Sequence, residues 1–201
     1  GYGGSCFPKD VKALVHTAQQ VDYEAHLIQA VENINSIQKT TLFSKLAAHF
    51  GGESQLSGKT IAVWGLAFKP NPDDMREAPS RALMEALWAS GAIVQAYDPV
   101  AKEEAEHIYG KHAGLTLCGD KYAALQGADA LAICTEWKQF CAPDFSEMSI
   151  RMRNKVIVDG RNLYQPQKLV ADGWIYFSVG RATPSNATVL RTSESTSVLK
   201  E

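Results

Sequence analysis

Thr60-Ile61-Ala62-Val63-Trp64-Gly65-Leu66-Ala67-Phe68-Lys69-Pro70 decides the fold of this chain. A short apolar, β-rich run closed by a glycine and followed by Pro70 and Pro72 spells a buried strand running into a stiff loop. Residues 80–89 then read as an amphipathic helix, and Ala92-Ile93-Val94-Gln95-Ala96-Tyr97 as a second strand. Leu115-Thr116-Leu117-Cys118, Ala130-Leu131-Ala132-Ile133-Cys134, Val156-Ile157-Val158-Asp159 and Ile175-Tyr176-Phe177-Ser178 continue the series. Strand, helix, strand repeated in this way predicts an α/β fold: a parallel sheet wound right-handed, with helices on both faces. Such sheets bind ligands beyond the carboxyl ends of their strands, near the switch point. The loop after the first strand and the Asp159-Gly160-Arg161 turn both end strands, so they line one crevice.

The loop also says what this sheet does not do. A dinucleotide fold presents G-x-G-x-x-G after its first strand so that a helix N-terminus cradles pyrophosphate. Here Gly65 stands alone, which speaks against ordinary NAD binding by these strands. Phe68 is free to pack on a ring and Lys69 to neutralise a phosphate or bind sugar hydroxyls, as a nucleotide-sugar diphosphate requires; a core Phe68 and a solvated Lys69 is the plainer reading. Asp73 and Asp74 read as caps for the next helix, and Asp98, which closes the second strand, as another helix cap. Arg76 pairs with one of those aspartates or holds an anion, and Arg161 serves as a ligand contact or a salt bridge.

Toward the N-terminus, residues 10–50 contain neither proline nor glycine. Val11, Leu14, Ala18, Val21, Leu27, Val31, Ile34, Leu42, Leu46 and Phe50 recur at helical spacing, which predicts one helix or two in succession, ended by Gly51-Gly52. An arm this long has no partner within a small domain, so its apolar face packs on something else. Ahead of it lies Gly3-Gly4-Ser5-Cys6-Phe7-Pro8-Lys9-Asp10. The glycines let the backbone approach a ligand, Pro8 suits a first helical turn, and Cys6 falls just before a helix N-terminus. The amides there and Lys9 make the sulfur a better nucleophile, while Asp10 either complements the helix dipole or holds a water.

With 201 residues, 45% apolar and 21% charged, the chain has material for one core plus an extension. A formal charge of −2 without a basic cluster argues against nucleic acid as a partner. No membrane-spanning run or signal peptide is visible. Cys6, Cys118, Cys134 and Cys141 have neither zinc-ligand spacing nor disulfide-scaffold density, so the sequence predicts no metal site and free thiols in a cytoplasmic protein. His16, His26, His49, His107 and His112 form no ligand pattern. Residues 181–201, rich in Ser, Thr, Asn and Glu, read as a mobile polar tail.

Gly3-Gly4-Ser5-Cys6-Phe7-Pro8-Lys9-Asp10 resembles the catalytic-cysteine motif of the UDP-glucose 6-dehydrogenase family, NAD-dependent enzymes that oxidise an alcohol of a nucleotide sugar to a carboxylate. Gly65-Leu66-Ala67-Phe68-Lys69-Pro70-Asn71-Pro72-Asp73-Asp74-Met75-Arg76-Glu77-Ala78-Pro79-Ser80 resembles its nucleotide-sugar loop, and Asp159-Gly160-Arg161-Asn162 a shorter third signature. The resemblance runs from Gly1 to about Phe177. It implies a cysteine loop and central dimerisation helix over residues 1–52 and a Rossmann-like UDP-sugar-binding domain over 57–180. It implies UDP-glucose oxidation to UDP-glucuronate with NAD in two hydride transfers, through a thiohemiacetal and a thioester on Cys6, with Asp10 assisting hydrolysis. Lys9 and Arg76 are implied on the cofactor side, and Tyr2, Gly3, Phe68, Lys69 and Arg161 on the substrate. The partners implied are a UDP-sugar and a second copy in a homodimer. The chain reads as the C-terminal half of such an enzyme, inactive alone. A GDP-mannose or UDP-N-acetylhexosamine dehydrogenase, or a non-catalytic nucleotide-sugar-binding and dimerisation module, are the alternatives.

Overall fold

The computed structural model describes residues 1–182; of the polar tail read from the sequence, all but Arg181 and Ala182 lies outside the described residues. Two helices open the chain, α1 (Phe7–Gln20) and α2 (His26–Phe50). They part at Asp22, whose φ of 52° lies in the left-handed region that aspartate tolerates better than most residues. The chain then alternates β1 (Thr60–Trp64), α3 (Pro79–Ala89), β2 (Ile93–Tyr97), α4 (Lys102–Tyr109), β3 (Leu115–Leu117), β4 (Ala130–Ile133), α5 (Lys138–Cys141), α6 (Phe145–Arg151), β5 (Val156–Asp159), α7 (Pro166–Ala171) and β6 (Ile175–Ser178). The predicted α/β fold is the observed one.

The strands form one sheet in the order β3-β2-β1-β4-β5-β6, every neighbour parallel. The order reverses between β1 and β4, which puts the switch point beside the loop that follows Trp64. Trp64 stands level with Tyr97 and Ile133, and Ile133 level with Asp159, so the loops after β1, β2, β4 and β5 open on the same edge.

Period-two alternation on β1 divides the core. Ile61 and Val63 face a layer made by Leu42 and Leu46 of α2 and Leu83, Met84 and Leu87 of α3. Ala62 and Trp64 face Leu125, Phe140, Met148, Ile157 and Tyr176, with the Trp64 and Phe140 rings stacked at 4.9 Å. The second half of α2 is thus part of the core. On its first half, on α1 and just after α1, Leu14, Val21, Leu27, Val31, Ile34 and Ile37 are exposed.

Asp98 is not the helix cap the sequence implies. Ala101 occupies the position before α4, and one Asp98 carboxylate oxygen accepts the Val100 and Ala101 amides at 2.9 and 3.0 Å in the turn leading there. The other oxygen reaches across the sheet edge to Leu66 N–H at 2.7 Å, Ala67 N–H at 3.2 Å and Trp137 Nε1–H at 3.2 Å. Asp98 therefore ties the loops after β1, β2 and β4 together. The sequence signal was ambiguous because the partners are more than thirty residues away.

Asp98→Ala strands these buried donors, each of which costs about 1–3 kcal/mol when unpaired. We expect a loss of roughly 3 kcal/mol or more in urea unfolding, against under about 1 kcal/mol for Asp120→Ala, whose carboxylate serves only an exposed turn.

Candidate functional site

Cys6 is the residue before α1, with Pro8 in the first turn, and its carbonyl accepts the Asp10 amide at 2.9 Å. Its side chain is exposed, 3.6 Å from Ser5 Oγ. Lys9 and Asp10 are also exposed on that turn. Cys134 makes the contrast: burial pushes its thiol up to about 12, so it stays protonated and shielded where Cys6 is open.

The segment before Cys6 is fixed from two sides. Asn35, 3% exposed on α2, accepts Tyr2 N–H at 2.6 Å and donates to the Tyr2 carbonyl at 3.1 Å. The Tyr2 hydroxyl donates to Glu32 at 2.7 Å. On the other side, Gly4 N–H donates to the Arg76 carbonyl at 2.9 Å. Gly4 has φ +92°, and a Cβ there would fall 2.7 Å from the tip of the Phe68 ring. Glycine is what lets this backbone lie against the aromatic face. At Gly3 a Cβ would fall 2.7 Å from the Glu77 carbonyl oxygen.

Arg161 holds Phe68 from below. Its Nε donates to the Cys134 carbonyl at 2.6 Å and its Nη2 to the Phe68 carbonyl at 3.1 Å, while Glu136 stands 3.1 Å from Nε. Buried Asp159 shapes the turn by accepting the amides of Arg161 and Leu163 at 2.8 and 2.7 Å and the Tyr176 hydroxyl at 2.7 Å. Lys69 is exposed, with Nζ 5.2 Å from the Phe68 ring centre. Arg161 thus ties the β1 loop to the Asp159-Gly160-Arg161 turn, and the cavity beside that turn is lined by Lys39, Leu42, Pro79, Cys134, Gly160 and Arg161 rather than by Phe68 or Lys69.

Asp73 and Asp74 do not cap α3. That helix starts at Pro79 behind Ala78, with no side chain on its first amides. Asp74 instead takes the Arg76 guanidinium at 2.9 and 3.0 Å and the Arg76 amide at 2.9 Å. The guanidinium bonds hold the Asp74 carboxyl below its ordinary value. Asp74 lies four residues ahead of Ala78, and Glu77 at φ 55° turns the chain between them.

A dinucleotide does not fit the loop after β1. The Leu66 and Ala67 amides, which would have to meet a pyrophosphate, already serve Asp98. Thr135 fills the space beside Gly65, where an added Cβ would lie 2.4 Å away.

Sequence reasoning missed four groups. Asn35 could have been noticed as an amide at a position that becomes buried. Lys12, Lys39 and Glu77 gave no signal, yet Glu77 binds Lys12 of α1 at 2.7 Å and Lys39 of α2 at 2.5 Å.

Comparison with known proteins matches two segments. Residues 62–166 match the UDP binding domain of the UDP-glucose/GDP-mannose dehydrogenase family, and residues 1–37 match its central domain. The chain is 50% identical over 184 residues to the UDP-glucose 6-dehydrogenase of Pseudomonas aeruginosa, covering 90% of this chain and 40% of that one. It is 43% identical over 181 residues to that of Rhizobium meliloti, again 90% and 40%. A UDP-glucose dehydrogenase structure from Pyrobaculum islandicum superimposes with a TM-score of 0.76 at 34% identity, covering 90% and 38%. The chain thus spans about 40% of the length of the curated relatives it matches. Among the described residues, no helix is long and apolar enough to cross a membrane.

Glu77 joins the two matched segments, and its titration is measurable. Hydrogen bonds from Lys12 and Lys39 hold its carboxyl down at about 2 against an ordinary 4.5; Glu32 stands 4.0 Å from Lys12 on the same cluster. A depressed value means that its stabilisation is fully present above pH 4.5 and is lost as pH falls through about 2. Carboxyl-carbon NMR of Glu77 should give a midpoint near 2, moving toward 4.5 in Lys39→Met.

Proposed function

Because the chain belongs to the UDP-glucose/GDP-mannose dehydrogenase family, we propose that it forms the nucleotide-sugar-binding and cysteine-bearing part of a UDP-glucose 6-dehydrogenase, which makes UDP-glucuronate. The observation that carries this reading is the contact of Gly4 with the Phe68 ring, two residues from the Cys6 nucleophile. It supports the reading by bringing an exposed thiol close to a loop that carries an aromatic ring and a lysine.

In this reading Phe68 and Lys69 take the nucleotide and its phosphates, Arg161 fixes the loop and lends its charge, and the Tyr2-Gly3 backbone faces the sugar. Cys6 adds to the aldehyde-level carbon: the carbon–sulfur bond forms, the carbonyl oxygen gains a proton, and a thiohemiacetal holds the intermediate. After its oxidation to the thioester, water positioned by Asp10 attacks the acyl carbon, expels the Cys6 thiolate and releases the carboxylate. Lys9 and Arg76, exposed cations near Cys6, flank the side on which the oxidant acts. That oxidant, NAD by family, is not held by this sheet, and no step of it falls to the residues around Gly65. The 201 residues alone bind substrate without turning it over; NADH formation by the purified chain would sink that reading.

A sister specificity has some support from similarity to a UDP-D-ManNAc dehydrogenase structure from Pyrococcus horikoshii, with a TM-score of 0.70 but only 27% identity. The higher identity to the named UDP-glucose 6-dehydrogenases favours UDP-glucose. The exposed Leu27, Val31, Ile34 and Ile37 of α2 supply the apolar face for a homodimer.

Thermal melting with UDP-glucose, GDP-mannose and UDP-N-acetylglucosamine side by side tests the choice. UDP-glucose should raise Tm most, and Cys6→Ala should keep that rise; a larger rise with GDP-mannose overturns the assignment. Sedimentation should give a dimer that Leu27→Glu with Ile34→Glu converts to monomer, and a wild-type monomer would remove the dimer from the proposal.

A further inference from the structure

The seam between the cysteine loop and the loop after β1 depends on a residue that bends the wrong way. Glu77 has φ 55°, a conformation disfavoured for any residue with a Cβ and found where surrounding structure enforces it. In that turn its carbonyl faces Gly3, where an added Cβ would come within 2.7 Å. Its carboxylate meanwhile reaches two helices, one oxygen accepting from Lys12 Nζ of α1 at 2.7 Å and the other from Lys39 Nζ of α2 at 2.5 Å. The preceding Arg76 carbonyl accepts Gly4 N–H. Two successive residues thus touch the cysteine loop by backbone, and one of them also anchors both helices that flank it. The Lys39 side chain is only 12% exposed, so this half of the bridge is weakly screened by water and salt.

We propose that Glu77 is the positioning residue for Cys6: through Lys12 and Lys39 it locks the cysteine loop and α1 onto the loop carrying Phe68 and Lys69, so that the sulfur faces an occupied nucleotide-sugar site. The functional meaning rests on the reading given under Proposed function; the locking itself is a property of the seam. A bridge that merely stabilised the molecule would loosen the sheet as much as the seam when cut. A positioning bridge loosens residues 2–6 first, because the sheet is closed by parallel pairings and a core that Glu77 does not enter.

Hydrogen exchange on the 201-residue chain separates the two. In Glu77→Gln the Gly4 amide should exchange at least tenfold faster while β1 and β4 keep their protection, and Glu77→Asp should recover most of the difference. Lys12→Met, at a half-exposed position, cuts the α1 link alone and should give a smaller rise at Gly4 if Glu77→Gln does not fold. The same proteins are then alkylated with iodoacetamide, with modification at Cys6 read by peptide mass spectrometry. Saturating UDP-glucose should slow Cys6 modification severalfold in wild type and hardly at all in Glu77→Gln, although its Kd changes less than about threefold. Unchanged Gly4 exchange, or equal loosening of β1 and β4, overturns the proposal, as does full UDP-glucose protection in Glu77→Gln. The expected exchange pattern without any UDP-glucose protection in wild type would instead overturn the nucleotide-sugar reading and leave the locking role of Glu77 standing.

Discussion

A single buried carboxylate, that of Asp98, sets the frame on which the site is built. It consumes the amides of Leu66 and Ala67, the turn before α4 and the Trp137 indole, at the point where the sheet reverses its strand order. With those donors satisfied, the loop after β1 cannot wrap a pyrophosphate as a dinucleotide fold does. It is driven outward instead, carrying Phe68 and Lys69 toward the N-terminal segment. Ser80 and Thr135 complete the constraint by donating to the Leu66 and Ala67 carbonyls, so both sides of this short backbone stretch are spoken for.

Several charges around the cysteine loop are organised in pairs, while Lys9 and Asp10 stand exposed on the Cys6 turn. Arg76 is matched by Asp74, Arg161 by Glu136 and two carbonyls, and Lys12 and Lys39 by Glu77. The solvent-facing ones, such as Lys12–Glu77, add little stability singly. Their effect is geometric: each fixes a loop whose backbone alone would leave it free. Arg161 illustrates the difference from the simple picture of a ligand-binding arginine, since its Nε and one Nη2 hydrogen are engaged in holding the Phe68 loop to the end of β4.

Much of the fold was legible because it rests on local patterns. The six strands fall where short β-rich runs end in glycine, aspartate or polar turns, and the helical arm follows its apolar spacing. The aspartates were misread for one reason. Asp73, Asp74 and Asp98 each stand before a helix, where a cap is the default, but none is placed to reach the first turn. Asp98 found amides more than thirty residues distant, and Asp74 found Arg76 two residues away. The apolar stripe of the arm was likewise only half informative: Leu42 and Leu46 enter the core, while Leu27 and Ile34, at the same spacing, face outward.

From the sequence alone came the parallel α/β sheet, the helix start at Cys6, the lone Gly65 that denies a dinucleotide loop, and the resemblance in three separate motifs. These follow from side-chain periodicity and backbone preference, which act over a few residues. Tertiary structure alone decided that Gly4 lies against Phe68, that Arg161 clamps the loop beneath it, and that Glu77 ties two helices to the cysteine segment. Each of these joins groups between 38 and 93 residues apart, a range over which only the folded packing fixes which charge or ring meets which.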